Sequence, residues 1–511
     1  MAVTCGLLLA WCGSAFAAFG IAAFDGEASA DPMGALFTQA GGHPYSLSTY
    51  IDFNLRTNPN VDPPEGWPDE PVKDIVVELP PGLIGNPSGV ERCTMIELGG
   101  TPESNQAPVC PVASQVGEIS VRSNLGLTFP VPVKAIFMME PPPGVPVRFG
   151  MSIFGTIVVL DATVRSYGDY GVTVTGRNAG EGIPISGVTV TIWGTPADPR
   201  HDGDRWCIDS AGRGFFGCSS QAPVKPLLRL PTSCSMPGEG LVTRLRAASW
   251  FHPSNFVSAS FESHLPPGRL SSPPEIDPAR WGAPQGPTNC DLVPFEPSFA
   301  AQPATPAKAG APSGLVVDLN LPQGDNPNIP GQGDVRKTVV TFPEGMRVSP
   351  SSADGLAGCS AAQIGLRSLA APRCPDASKL GRVTVTTPLL DEPLEGAVYL
   401  ATPFDNPSRS LIATYIVVEG QGVRLKLAGR VDTDPVSGQV RATFDNVPQA
   451  PFSNLHMELK GGPRAAFVLP RRCGTYTTRA VLTSWSGKTV TSDSNFSLSR
   501  DGAVAPDVVS R

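Results

Sequence analysis

Carboxylates gathered in turn-rich segments are the residues of this 511-residue chain that come closest to a metal site. Oxygen ligands on flexible loops suit calcium. Neither of two acidic clusters has the complete ligand series of a known calcium loop, so solvated turn residues are the interpretation we favour over a calcium site. No other cofactor is predicted. The members of the two clusters are Asp198, Asp202, Asp204 and Asp209 in or beside residues 195–222, and Asp432 with Asp434 in a predicted hairpin.

Acid–base or nucleophilic catalysis has weaker support. Asp161 and Asp169 flank Arg165 and could serve as the paired carboxylates of a glycosidase, but a hairpin loop is the simpler explanation and the one we favour. The chain has no Gly-x-Ser-x-Gly nucleophile turn. Its histidines show no metal-ligand spacing. They stand at positions 43, 201, 252, 264 and 456. We therefore predict no catalytic residue, and a secreted hydrolase remains the alternative.

Aromatic side chains mark the best candidate for a binding surface. Trp193, Trp206, Phe215 and Phe216 cluster in or beside residues 195–222. Large aromatic residues supply most of the energy of many interfaces, but they also fill hydrophobic cores. Burial in the core is the interpretation we favour for them, and a contact surface is the alternative.

Composition places the chain outside several functional classes. Charged residues make up only 16%, the net charge is −8, and Gly (54) and Pro (56) are abundant. Such a chain offers no basic surface for nucleic acid. Residues 1–18 are uncharged, and they end in a small-residue pattern around Ala15 and Ala17 that is typical of a secretory signal peptide. An uncleaved N-terminal anchor is the alternative, and it would be the protein's only membrane contact.

One long unit occurs twice in the sequence. Residues 72–79 return as residues 335–342, and the run from Cys110 matches the run from Cys374. A period this long indicates duplicated domains rather than a solenoid. We predict a first repeat over 19–262 with an insertion at 195–222, a Pro-rich extended linker over 263–312, a second repeat over 313–492 and a disordered tail over 493–511.

The hydrophobic pattern of both repeats favours β-strands. Short alternating stretches recur between Gly and Pro turns, and helical periodicity is absent outside the N-terminal segment. The predicted fold is all-β, with a β-sandwich-like domain of one sheet or two sub-sheets in each repeat. Two segments, starting at Cys93 and at Cys359, are also compatible with single helical turns.

Cysteine positions follow the repeat. Sequence alone leaves many connectivities open, but equivalent positions favour Cys93–Cys110 and Cys359–Cys374, each within one repeat. The insertion would be closed by Cys207–Cys218, and Cys234 would pair with Cys290. This scheme leaves Cys473 free or paired with another chain.

Several segments together resemble a group of exported actinobacterial proteins that repeat such units. The resemblance covers nearly all of the chain after the N-terminal segment and implies a secreted or surface β-domain protein. It implies no activity and no catalytic residue. The segments are Gln-Ala-Gly-Gly-His-Pro at 39–44, Val-Lys-Asp-Ile-Val-Val-Glu-Leu-Pro-Pro-Gly-Leu at 72–83, Cys-Pro-Val-Ala-Ser-Gln-Val-Gly at 110–117 and Gly-Val-Thr-Val-Thr at 171–175.

The resulting functional prediction is an extracellular or cell-surface structural or adhesive protein without catalytic activity. Its expected partners are envelope components or other surface proteins. Two alternatives stay open: a secreted hydrolase or carbohydrate-binding protein acting on envelope or extracellular polysaccharide, and a calcium-dependent binding module.

Overall fold

The computed structural model describes residues 19–57, 66–100, 107–123, 134–153, 155–166, 168–182, 184–211, 213–265, 282–304, 307–349, 357–463 and 465–500. This part of the chain is nearly all-β, as predicted, and it forms two tandem domains. Each domain is built on one eleven-stranded sheet rather than on two sub-sheets. The predicted signal peptide lies outside the described residues.

The first domain contains seventeen described strands. They are β1 Ile21–Ser29, β2 Ser46–Phe53, β3 Leu55–Thr57, β4 Gly66–Pro68, β5 Val72–Glu78, β6 Ile84–Gly85, β7 Gln115–Ser123, β8 Lys134–Met139, β9 Val147–Ile153, β10 Thr156–Val164, β11 Val172–Gly176, β12 Ile185–Trp193, β13 Trp206–Ile208, β14 Gly214–Phe216, β15 Leu228–Arg229, β16 Val242–Ser249 and β17 Val257–Glu262.

The second domain contains fourteen described strands. They are β18 Ser298–Pro303, β19 Pro312–Ser313, β20 Leu315–Asn320, β21 Val335–Thr341, β22 Arg347–Val348, β23 Lys379–Thr386, β24 Leu394–Leu400, β25 Ile412–Gly420, β26 Val423–Thr433, β27 Val440–Phe444, β28 Asn454–Leu459, β29 Phe467–Val468, β30 Gly474–Ser484 and β31 Thr489–Leu498.

The two large sheets have the same topology. The first runs β1-β2-β12-β7-β8-β9-β10-β11-β5-β16-β17 and the second runs β18-β20-β28-β23-β24-β25-β26-β27-β21-β30-β31. Each strand of the first sheet has a counterpart at the same place in the second. The internal repeat is therefore a duplication of a whole domain.

Each sheet curls until its two ends meet. In the first domain Phe24 of β1 packs edge-on against Phe261 of β17, with ring centroids 4.9 Å apart. In the second domain the Ser494 hydroxyl of β31 accepts a hydrogen bond from the Ala301 amide of β18 at 2.9 Å. One sheet thus covers both sides of the core, and its edge strands are protected from pairing with other chains.

Short helices recur at equivalent places. Thr94 is the N-cap of helix α1 (Met95–Gly99), and Ser360 is the N-cap of α2 (Ala361–Ile364). Both helices start with a reciprocal capping box. These helices lie in the two segments whose sequences are compatible with single helical turns. The described 3-10 segments are Pro87–Gly89, Val112–Ser114, Pro199–Asp204, Cys290–Leu292 and Asp376–Ser378.

The prediction of an extended linker over 263–312 is wrong for the second half of that segment. Strand β18 (Ser298–Pro303) lies within it and forms the edge of the second sheet, while Phe295 and Phe299 are buried in the core of the second domain. The apolar alternation of Phe299 and Ala301 gives this short stretch an inward face despite its Pro-rich surroundings. Strand β31 likewise reaches Leu498, beyond the predicted end of the second repeat at 492. Residues 266–281 and 501–511 lie outside the described part.

Four disulfides join described cysteines, and they are the four pairs favoured by the sequence: Cys93–Cys110, Cys207–Cys218, Cys234–Cys290 and Cys359–Cys374. Cys473 is free and exposed. Within the described ranges, no helix has the length and apolar character needed to cross a bilayer.

Candidate functional sites

The insertion is fixed to the first domain by a stack of alternating aromatic and cationic side chains. The His201 ring lies between those of Tyr45 and Trp193, with centroids 4.2 and 4.4 Å away. Arg200 covers the outer face of Tyr45 at 4.9 Å, and Arg205 covers Trp193 at 5.2 Å. Cation–π contacts at both ends close the stack, so the base of the insertion has one defined orientation.

His201 serves as a neutral layer of this stack. The residue is only 1% exposed, and burial lowers the pKa of its imidazole to about 3, with the nearby arginines acting in the same direction. An imidazole this deeply buried and this weakly basic is a packing element rather than a general base.

The carboxylates of the insertion face arginines. Asp198 pairs with Arg200 at 2.6 Å and caps the helical segment Pro199–Asp204, and Asp202 reaches Arg205 at 3.3 Å. Within that helical segment Asp204 lies close enough to raise the pKa of Glu118. Ion pairs with arginine thus explain Asp198 and Asp202 as structural, while Asp204 lies near the carboxyl group of Glu118.

The remaining calcium candidates have similar partners. Asp209 pairs with Arg213 at 2.8 Å, and Asp432 and Asp434 both face Arg441, at 2.9 and 3.5 Å. Among the residues that the structure describes, no group of three or more His, Cys, Asp or Glu side chains is arranged to hold a metal ion.

Glu118 is the most strongly perturbed carboxyl group near the insertion. Burial raises its pKa to about 7, and the neighbouring negative charge of Asp204 contributes in the same direction. The second domain has Arg382 at the equivalent position of β23, where it pairs with Glu458 at 2.6 Å. The two domains therefore differ in charge at one matched site.

The proposed glycosidase pair is divided between two separate ion pairs. Asp161 accepts two hydrogen bonds from Arg148, at 2.6 and 2.9 Å. Asp169 accepts two from Arg165, at 2.8 and 3.0 Å, which hold the turn before β11 and lower the pKa of Asp169. Both carboxylates are engaged as structural acceptors.

The four predicted aromatic residues have different roles. Trp193 is buried in the stack, and the Trp206 indole N–H donates to the Pro108 carbonyl at 3.0 Å. Phe215 and Phe216 are 43% and 41% exposed on the hairpin of β13 and β14, which the Cys207–Cys218 disulfide closes. We call residues 206–216 the aromatic hairpin. The core interpretation holds for the tryptophans, while the two phenylalanines remain available for contact.

Inside the first domain lies a cavity of about 150 Å³, which we call the inner cavity. It is lined mainly by the inward residues of seven strands of the sheet, and most of these residues are aliphatic. Representative residues are Ile75, Val77, Phe149, Val158, Leu160 and Val174.

A second apolar cavity, of about 230 Å³, lies between the domains, and we call it the interdomain cavity. It shares lining residues with the inner cavity, so the two adjoin. On its far side it is lined by the second domain, including Leu390, Leu425 and Phe452. The shared residues are Leu47, Leu79, Phe149, Val174 and Ile192.

Polar contacts beside the interdomain cavity tie the domains together. The Arg229 guanidinium donates to both carboxylate oxygens of Asp334, at 2.8 and 2.7 Å, and the Thr232 hydroxyl donates to the same carboxylate at 3.2 Å. On another part of the interface the Tyr170 hydroxyl donates to the Lys426 carbonyl at 2.8 Å. Paired, buried groups of this kind hold two surfaces in a single register.

No family model and no curated protein matches the chain. Solved structures that are similar to the chain include the following three. The partial N-terminal region of the enterococcal surface protein is 8% identical with a TM-score of 0.17, over 94% of this chain and 95% of that chain. The BSP domain of a biofilm associated protein is 8% identical with a TM-score of 0.17, over 96% and 63%. A putative membrane anchored protein from Corynebacterium diphtheriae is 9% identical with a TM-score of 0.17, over 95% and 92%. Scores this low carry no conclusion about fold or function.

Sequence reasoning missed both cavities. The sequence signal for the inner cavity lies at inward positions that correspond between the two repeats, where the first has Gly176 of β11 and the second has Phe444 of β27. Recognising it requires the strand register of both sheets, because adjacent residues of a strand face opposite sides. The polar interface was missed for the same reason, since Arg229 and Asp334 lie far apart in the sequence.

Proposed function

We propose that this protein is exported and acts outside the cell or at its surface as a non-catalytic adhesive β-repeat protein. The aromatic hairpin would be its main contact surface for an envelope component. The observation that carries the proposal is the exposed pair Phe215 and Phe216 on a disulfide-closed hairpin in the segment that the second domain lacks.

The hairpin has the physical properties of a contact surface. Aromatic side chains bury a large area on binding and lose little rotamer entropy. The disulfide and the Trp206–Phe216 edge contact, with centroids 5.0 Å apart, already order the hairpin before it meets a partner. Preorganisation reduces the entropy cost of association.

Export is supported by the cysteines. Disulfides form and persist in oxidising compartments, and the described part of this chain contains four. The hydrolase and calcium-module alternatives have less support, because the candidate carboxylates Asp161, Asp169 and Asp209 are each paired with an arginine.

The proposal is tested by binding of the purified protein to isolated cell envelopes. We expect the double variant Phe215→Ala/Phe216→Ala to bind about tenfold more weakly, the size of effect expected for loss of an aromatic anchor. The control is Phe251→Ala/Phe404→Ala, which removes two phenylalanines that are even more exposed, 64% and 65%, outside the insertion. Unchanged binding by the hairpin variant, or equal loss in the control, would contradict the proposal.

A further inference from the structure

We propose that the inner cavity, together with the adjoining interdomain cavity, binds a single-chain anionic amphiphile such as a long-chain fatty acid. This inference is independent of the aromatic hairpin, because the cavity lies within the sheet of the first domain and the hairpin lies in the insertion.

The walls are suited to a hydrocarbon chain. Strands β2, β5, β7, β9, β10, β11 and β12 all direct aliphatic residues into the inner cavity. Many of these residues, such as Ile75, Val77 and Leu160, remain only half-buried although they face inward. Apolar cavities of about 150 Å³ stay dry and take up apolar ligands, because water there would lack hydrogen-bond partners.

The cavities are long enough for an extended chain. Both are lined by β5 or its continuation, from Lys73 at one end to Leu79 and Leu83 at the other. At roughly 3.3 Å per residue, the extended stretch from Lys73 to Leu79 alone corresponds to about 20 Å. The end of a ligand near Lys73 would contact the first domain, and its other end would reach the second domain.

The mouth of the inner cavity is basic. Lys73 and Arg177 line this end together with Ala179 and Gly180. The Lys73 ammonium already pairs with Asp74 at 2.8 Å. The side chain of Arg177 is exposed, and its charge also acts on Asp74, whose pKa Lys73 and Arg177 help to lower. Two cationic side chains beside one carboxylate at the mouth of an apolar cavity fit a carboxylate head group.

This mouth is held in place by its neighbours. The Ala179 amide donates to the Lys73 carbonyl at 2.9 Å, and the Trp250 indole donates to the Ala179 carbonyl at 2.8 Å. The Asn178 amide donates to Asp74 at 3.0 Å. Because the residues that follow Arg177 are fixed against β5, the charge stays at the mouth without a ligand.

The second domain provides an internal comparison. At the position of Gly176 it has Phe444, and at the position of Val190 it has Met457. These larger side chains reduce the space at two matched positions, and both pack against one of its core clusters. The proposed site belongs to the first domain, so we expect one ligand per chain.

The test is titration of the full-length protein with palmitate, octanoate and hexadecanol. We expect palmitate to bind more tightly than octanoate, because affinity grows with the hydrocarbon buried. Val174→Trp, which fills the cavity, should weaken palmitate binding about tenfold or more. The control Thr175→Trp places the same ring on the opposite face of β11 and should leave binding unchanged.

The head-group assignment has a separate readout. Arg177→Glu should weaken palmitate binding about fivefold or more and leave hexadecanol binding unchanged, because only the carboxylate is repelled. Equal effects on both ligands would overturn the anionic assignment. Should Val174→Trp lower the melting temperature, Val158→Phe serves as a second filling variant. Absence of palmitate binding by the unmodified protein, or full binding by a folded filling variant, would overturn the proposal.

Discussion

The two domains share one sheet topology and differ in what fills it. Eleven strands follow the same order in both, yet the first domain surrounds the inner cavity and carries the insertion, while in the second domain Phe444 and Met457 occupy positions that hold Gly176 and Val190 in the first. After duplication, the backbone register was kept and the side chains on each face diverged. The two domains thus differ in their side chains while the order of strand pairing is the same in both.

One pair of neighbouring strands shows the difference at atomic scale. In the first domain Leu160 faces Gly176, and at the matched positions of the second domain Gly429 faces Phe444. A Cβ on Gly429 would lie 2.3 Å from the Phe444 ring, so this glycine is required for the ring to lie flat on the strand. The large side chain of the pair is thus Leu160 on β10 in the first domain and Phe444 on β27, the partner of the matched strand, in the second.

The largest effect is expected where the two domains meet. Asp334 is fully buried and Arg229 is 8% exposed, so Asp334→Ala would leave an unpaired buried charge. We expect a loss of about 3 to 5 kcal/mol in the free energy of unfolding, measured by urea denaturation. The matched control is Lys225→Ala, which removes an exposed interdomain pair with Asp325 and should cost at most about 1 kcal/mol. Equal costs for the two variants would mean that the buried pair does not hold the domains together.

A smaller effect should follow from exchanging the interiors. Phe444→Ala removes the ring that fills the second domain and should cost about 2 to 4 kcal/mol in thermal or chemical unfolding. Gly176→Ala should cost no more than about 1 kcal/mol, since the added Cβ meets only the flexible end of Leu160, 2.8 Å away. A larger cost for Gly176→Ala than for Phe444→Ala would refute the description of the first interior as open.

A pH-dependent effect concerns the matched positions Glu118 and Arg382. Because the pKa of Glu118 is about 7 in the folded state and near 4.5 when unfolded, the unfolded state loses its proton first as pH rises. Its contribution to stability should therefore fall between pH 4.5 and 7 and stay low above pH 7. Glu118→Gln should raise the melting temperature above pH 7 relative to the unmodified protein, and the gain should vanish near pH 4.5. A gain that is independent of pH would contradict the assigned titration.

Much of the fold was predictable, because it depends on local patterns repeated twice. Alternating strands, capping boxes at Thr94 and Ser360, and cysteines at equivalent positions each have short-range signals. The first edge strand of the second domain was missed, because Ser298–Pro303 is short and lies in a Pro-rich stretch whose composition is typical of linkers.

The candidate sites were predictable only in part. The sequence located the insertion and the four aromatic residues in or beside it, but it did not distinguish buried Trp193 from exposed Phe216, since burial depends on residues distant in sequence such as Tyr45. The inner cavity depends on which residues of seven strands share a face, and the Arg229–Asp334 pair depends on how two domains pack. Neither has a signal within a single stretch of chain.

Native mass spectrometry of the full-length protein with palmitate tests most directly whether the two domains differ as described. The account predicts one bound palmitate per chain, lost in Val174→Trp and retained in Thr175→Trp, because the proposed site lies in the first domain. Two bound molecules per chain, or one that persists in the folded Val174→Trp variant, would contradict it.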